Sequence, residues 1–259
     1  MASAPQASLP LFYKDLVPLN VDQHKGFSIK TTEAAPFLIG EHAVPLTIDE
    51  FAQCQRFLPI VFSAGTNPVP LALMGLNEGV NTLVDAEGKL RSQTGYVPAY
   101  IRRYPWMLAK LDQNRDELSL CFDPTSEQIG QFEDGQALIE ENGEASALTK
   151  EILAFCEQFE QAAQRTQQFM VEVAEAGLLM EGELTIQSAT TDKPFVYRGF
   201  QMINEEKLRD LRGDQLRKMS QSGMLPLLYA HLFSLQGMRE IFFQQQQLGL
   251  GPVEALQPA

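Results

Sequence analysis

Apolar residues are spaced differently in the two halves of the chain. Up to about residue 122 they come in short runs. Leu58-Pro59-Ile60-Val61-Phe62, Leu71-Ala72-Leu73-Met74-Gly75 and Asn81-Thr82-Leu83-Val84-Asp85 are divided by the turn-forming strings SAGTNP, NEG and AEGK. This pattern predicts a β-meander. The first two runs are continuous rather than alternating, which predicts strands covered on both faces. Residues 27–31 (FSIKT) predict a short strand, and Thr47-Ile48-Asp49-Glu50 reads as a capping box that opens a helix through Gln55. Trp106 to Leu111 and Leu118 to Phe122, joined by DQNRDE, predict a hairpin.

The second half has helical spacing. Leu148, Ile152, Phe155, Phe159, Ala162, Thr166, Phe169 and Val173 recur in steps of four and three, the seam of a long amphipathic helix ending near Gly177. The preceding stretch 123–146 is acidic and glycine-containing and reads as a surface connection with a short helix. Beyond the long helix, Leu184-Thr185-Ile186 and Phe195-Val196-Tyr197 predict a second hairpin across SATTDKP. Asn204 caps a short helix with Leu208 and Leu211, and Gly223 closes another. Pro226 precedes a final helix through about Gln245, striped by Leu225, Leu228, Leu232, Leu235 and Phe242. The expected class is α+β: an N-terminal antiparallel β-meander or sheet with short helices, then the long amphipathic helix, a hairpin and C-terminal helices. The 259 residues form one domain or two lobes, 1–125 mainly β and 146–247 mainly α, with a flexible tail at 248–259.

Composition narrows the functions. A formal charge of -13 repels phosphate backbones and anionic lipid, and only Arg102-Arg103 opposes it locally, so nucleic acid is not an expected partner. Cys54, Cys121 and Cys156 are far apart and odd in number, which fits a reducing compartment. The N-terminal string MASAPQASLPLFYKDLVPL lacks a basic lead-in and an unbroken apolar region, so a cytoplasmic location is expected, and a surface location would need another export route. Apolar runs such as Leu58 to Val61 and Met224 to Leu235 fall short of a spanning helix. Phosphate-loop, dinucleotide and nucleophile-elbow patterns are missing, so no cofactor is expected. Three histidines, His24, His42 and His231, are the only candidates for an imidazole base. None has metal-ligand spacing, and no metal is expected. His231 and Ser234, three residues apart, imitate a base and nucleophile.

One segment stands apart. Residues 96–106, YVPAYIRRYPW, hold two adjacent arginines, three tyrosines and the only tryptophan of the chain. Pro98 suits the first helical position and Pro105 disfavours continuation beyond Tyr104, predicting a short helix over 98–104. Tyr100 and Tyr104 then share a face, with Arg102 and Arg103 directed elsewhere. Arg102, Arg103, Tyr104 and Trp106 are candidate binding residues, with His24 or His231 completing a pocket. Otherwise the tyrosines fill the core and the guanidinium groups cap strands or pair with acids.

The string YVPAYIRRYPWML, preceded by LPIVFSAG, PVPLALMGL and NTLVDAEGKL and followed by GFQMINEEKLRDL and LLYAHLFSL, resembles the SapC family of bacterial proteins over about residues 11–240. The resemblance implies association with a surface layer. It also implies genes beside TonB-dependent receptors, flavin-dependent tryptophan halogenases and cupin-type oxygenases. It supplies no catalytic residue to carry over, and hydropathy rejects the permease label sometimes attached to the family name. The expectation is a non-catalytic binding or accessory protein with a protein partner. The alternatives are an enzyme or small-molecule-binding protein with a pocket around Arg102, Arg103 and a histidine, and a structural subunit of the surface layer.

Overall fold

The computed structural model describes residues 9–91, 95–111, 117–187 and 194–251. It is an α+β fold, with strands dominating the earlier part and helices the later part. The expected linkers DQNRDE and SATTDKP fall mostly outside the described residues, as do the first eight residues and 252–259 of the expected tail. Two compact units are each assembled from separated stretches. Residues up to Ala34 join Tyr100–Gln161, and Ala35–Ala99 joins the residues from Ala162 onward. The stretch 125–146, expected to separate two lobes, therefore lies inside the first unit.

In the first unit the hairpin Trp106–Lys110 and Leu118–Phe122 forms as expected, and Val17–Pro18 adds to its edge. Trp106, Phe122, Leu138, Ile139 and Cys156 are buried together, with Ile152 of the helix Ala147–Glu175 packed against them. The acidic stretch 123–146 is not a helical surface connection. Its strands Ile129–Gly130 and Gln136–Ala137 flank Ser28–Ile29 on both sides. The Ser28 hydroxyl donates to the Phe132 carbonyl at 3.0 Å and accepts from the Phe132 amide at 3.1 Å. Strands of two residues are too short to show a period, so only the isolated apolar residues Ile129, Leu138 and Ile139 mark this part of the core.

The second unit is built on a five-stranded antiparallel sheet. Its order is Leu179–Glu181, Phe200–Ile203, Ile60–Ser63, Pro70–Leu73, Ala43–Pro45. The strand Ile60–Ser63 is covered on both faces, as its unbroken apolarity predicts. Phe62 stacks on His231 of the helix Met224–Ser234, while Val61 packs with Met238 and Ile241 of the helix Gly237–Gln247. The third meander strand does not form at 81–85. Asn81 turns its amide to the carbonyls of Leu38 and Glu41, both at 2.9 Å, and its oxygen accepts the Leu83 amide at 2.8 Å. A side chain that serves the backbone in this way competes with a sheet ladder. The edge position goes instead to Ala43–Pro45, where Pro45 suits an edge strand.

The final helix is two helices, broken at Leu235–Gln236. The Ser234 hydroxyl donates back to the His231 carbonyl at 2.6 Å, and Gly237 sits against Pro59, where a Cβ would lie 3.4 Å from the ring. Both features favour a break there. The glutamine run from Gln244 to Gln247 is helical, so the last helix runs slightly past the end expected near Gln245.

Glu50 closes the second unit. Its side chain is buried and accepts four hydrogen bonds: from the Thr47 amide (3.1 Å) and hydroxyl (2.9 Å), the Tyr96 hydroxyl (2.8 Å) and the Ala99 amide (2.6 Å). Replacing Glu50 by Ala strands these donors, and the expected loss is about 2–4 kcal/mol in urea denaturation, against about 1 kcal/mol for Thr47→Ala. Equal losses for the two variants would show that Glu50 acts only as a helix cap.

Candidate functional site

The short helix Ala99–Arg103 forms between the two prolines, followed by the strand that begins at Trp106. It separates the two arginines. Arg103 is buried, with its guanidinium carbon 4.1 Å from the Phe159 ring centroid, 5.1 Å from Tyr100 and 6.0 Å from Tyr13. One terminal nitrogen donates to Glu160 Oε1 at 3.1 Å. A desolvated guanidinium among aromatic faces and one carboxylate is held by cation–π attraction and a charged hydrogen bond. Arg102 is exposed and lies over Phe155 at 5.3 Å.

The remaining residues of the segment are mainly structural. Trp106 is buried, and its carbonyl accepts the Tyr13 hydroxyl at 2.6 Å. Tyr104 is half-buried, its ring edge-on to Phe12 and Tyr13. Burial, followed by the charge of Asp123, pushes its hydroxyl titration upward. Asp123 is itself fully buried and accepts the Lys14 amide at 2.8 Å.

Neither histidine joins the arginines in a hydrogen-bonded site among the described contacts. His24 is not a solvated loop residue. It is buried edge-on to Phe27 and Phe122, and its Nδ1 accepts the Asn20 amide at 2.9 Å. His231 lies in the other unit, fully buried, and its Nε2 accepts the Ile203 amide at 3.1 Å. Burial pushes its pKa down to about 4. Ser234 is no nucleophile poised on it, because that hydroxyl accepts the Ile60 amide at 2.9 Å and donates to a carbonyl. The three thiols are free and buried. Burial raises Cys54 to about 12 and Cys156 to about 11, and lifts Cys121 as well, so none is a thiolate at neutral pH. Among the described residues no group of three His, Cys, Asp or Glu side chains could hold a metal ion. Among the described residues no helix is long and apolar enough to cross a membrane.

The second unit also contains a cleft of about 430 Å³ with Tyr96 in its wall. Leu58, Leu83, Ile241 and the Phe57 ring give it an apolar floor, and Asp85, Arg91 and Glu240 bring charge. The helix Gly237–Gln247 contributes one face, because positions 237, 240, 241, 244 and 247 recur at helical spacing. Gln245, on the same helix, ties it down by accepting the Leu76 amide at 2.7 Å and donating to Asn77 at 2.9 Å. Gly95 lies under Phe57, whose ring would be 2.1 Å from a Cβ at that position. No local motif marks this cleft, because its walls come from three separated stretches. The only available signal is the helical spacing of Glu240, Gln244 and Gln247.

The adjacent arginines should differ sharply in their effect on stability. Arg103→Met is expected to cost about 2–4 kcal/mol and Arg102→Ala to stay within about 0.5 kcal/mol, measured by chemical denaturation. Comparable losses would contradict the buried and exposed assignment. For His231 the folded pKa of about 4 lies below the ordinary 6.5, so the folded state binds the proton less well than the unfolded chain. The stability it allows is complete above about pH 6.5 and is lost as pH falls towards about 4, by on the order of 3 kcal/mol. Urea midpoints between these pH values should fall more steeply for the wild type than for His231→Gln, and parallel slopes would refute the assignment.

A family model described as SapC matches residues 19–241. No curated protein and no solved structure matches the chain. The family match covers most of both compact units and the whole of the 96–106 segment, so the chain belongs to the SapC family.

Proposed function

We propose that this chain is a non-catalytic binding protein, an accessory to surface-layer or TonB-dependent outer-membrane uptake machinery, with Arg102 in its partner-facing surface. The carrying observation is that Arg102 remains exposed over Phe155, at 5.3 Å, while its neighbour Arg103 is buried. An exposed guanidinium braced on an aromatic ring is pre-organised for a carboxylate or an aromatic group, and such anchors dominate recognition energetics. The side chains nearest to catalytic chemistry support binding over turnover. The ring nitrogens that receive hydrogen bonds in His24 and His231 receive them from backbone amides, and the Ser234 hydroxyl is also engaged with backbone. The proposed link to the cell surface rests on what the resemblance to the SapC family implies.

Affinity purification of the tagged chain from its native host, followed by mass spectrometry, tests this reading. Wild type and Arg103→Lys are compared with Arg102→Glu, and thermal midpoints are measured for each. The wild type should recover a partner that Arg102→Glu loses without a change in its midpoint. Identical recoveries from wild type and Arg102→Glu would overturn the role of this surface.

A further inference from the structure

The cleft in the second unit has a specific charge pattern. One guanidinium, Arg91, shares its lining with two carboxylates, Asp85 and Glu240. The Arg91 Nε–H is shut off from solvent and has no hydrogen-bond partner among the described residues. A carboxylate matches a guanidinium best, and with Nε shut off it would be met by the terminal nitrogens. Asp85 is fixed as well, because its Oδ1 accepts the amides of Glu87 (3.1 Å) and Lys89 (2.8 Å).

These charges select among ligands. A dianion such as a phosphate ester would bring two charges to a lining that already carries one more carboxylate than cation. A simple monocarboxylate satisfies Arg91 but leaves the two acids uncompensated. A zwitterion satisfies both signs. The apolar floor of Leu58, Leu83, Ile241 and Phe57 then calls for an apolar body, and about 430 Å³ lies within the range of small-ligand sites.

We infer that this cleft binds a zwitterion of the α-amino-acid type with an apolar side chain. The carboxylate meets Arg91, the ammonium group meets the Asp85 and Glu240 side of the lining, and the side chain lies on the apolar floor. Gln244 and Gln247 supply amide groups to the same lining. The site is independent of the Arg102 surface, because its lining includes neither Arg102 nor Phe155.

Calorimetric titration of the full chain separates the parts of this claim. The probes are L-phenylalanine, 3-phenylpropionate, which lacks the ammonium group, and L-phenylalaninamide, which lacks the carboxylate. L-Phenylalanine should bind at one site with a Kd below about 1 mM, and each analogue at least about tenfold more weakly. Arg91→Met should weaken L-phenylalanine at least about tenfold with the thermal midpoint retained, whereas Arg102→Glu should leave it unchanged. No binding up to about 10 mM, an analogue binding as tightly as the amino acid, or an unchanged Kd in Arg91→Met would each overturn the proposal. Should Arg91→Met unfold, the analogue series on the wild type decides alone.

Discussion

A single buried carboxylate sets the geometry around the most distinctive segment of the chain. Glu50 begins as the local partner of Thr47, in the reciprocal pairing that starts a helix. Its second oxygen then takes the Tyr96 hydroxyl and the Ala99 amide, 46 and 49 residues further along. A buried carboxylate is tolerable only when its lone pairs are occupied, and here two donors reach each oxygen. The first residue of the helix Ala99–Arg103 is held by the same group that caps the turn at Ile48–Glu50. The wall of the cleft at Tyr96 depends on it too, because the tyrosine donates its hydroxyl to Glu50 while lining the cleft.

On the short helix Ala99–Arg103 the adjacent arginines have opposite environments. Successive residues on a helix point about 100° apart, so two neighbouring guanidinium groups do not enter the same aromatic cluster. Arg103 is placed among Tyr13, Tyr100 and Phe159, with Glu160 as its counter-charge. Arg102 lies over the face of Phe155 and is exposed. A charge on the buried side is costly unless paired, whereas an exposed one costs little. Arginine–aromatic clustering, read from sequence as one candidate site, is therefore divided between a buried arginine and an exposed one.

Sequence reasoning reached what is local. The Thr47–Glu50 box, the helix Ala147–Glu175, both hairpins and the bounds of the arginine helix each rest on neighbouring residues whose spacing carries the signal. The two-residue strands at Ser28, Ile129 and Gln136 have no period to detect, and Ala43–Pro45 was hidden by its proline and by the polar residues before it. Asn81 interrupted an apparent strand by bonding to carbonyls about 40 residues earlier, a choice made by tertiary structure. The cleft was invisible for the same reason. Arg91 sits in an ordinary turn-rich string, and only folding places it beside Glu240 and Phe57.

His231 and Ser234 show how a catalytic-looking pair can instead follow from sheet geometry. The strands Ile60–Ser63 and Phe200–Ile203 pair at Phe62–Gln201 and Ser63–Phe200, and continuing that register would set Ile60 opposite Ile203. The amides of Ile60 and Ile203 donate instead to Ser234 and His231 of the overlying helix. Residues three apart on one helix face can serve the ends of two neighbouring strands. The imidazole must be neutral to do so, because only an unprotonated Nε2 has a lone pair to accept the Ile203 amide. Protonation would place a donor against a donor inside the core, so the hydrogen bond and the depressed pKa are consequences of one placement. A general base needs access to its proton and to solvent-delivered substrate, and His231 has given up both to hold the sheet.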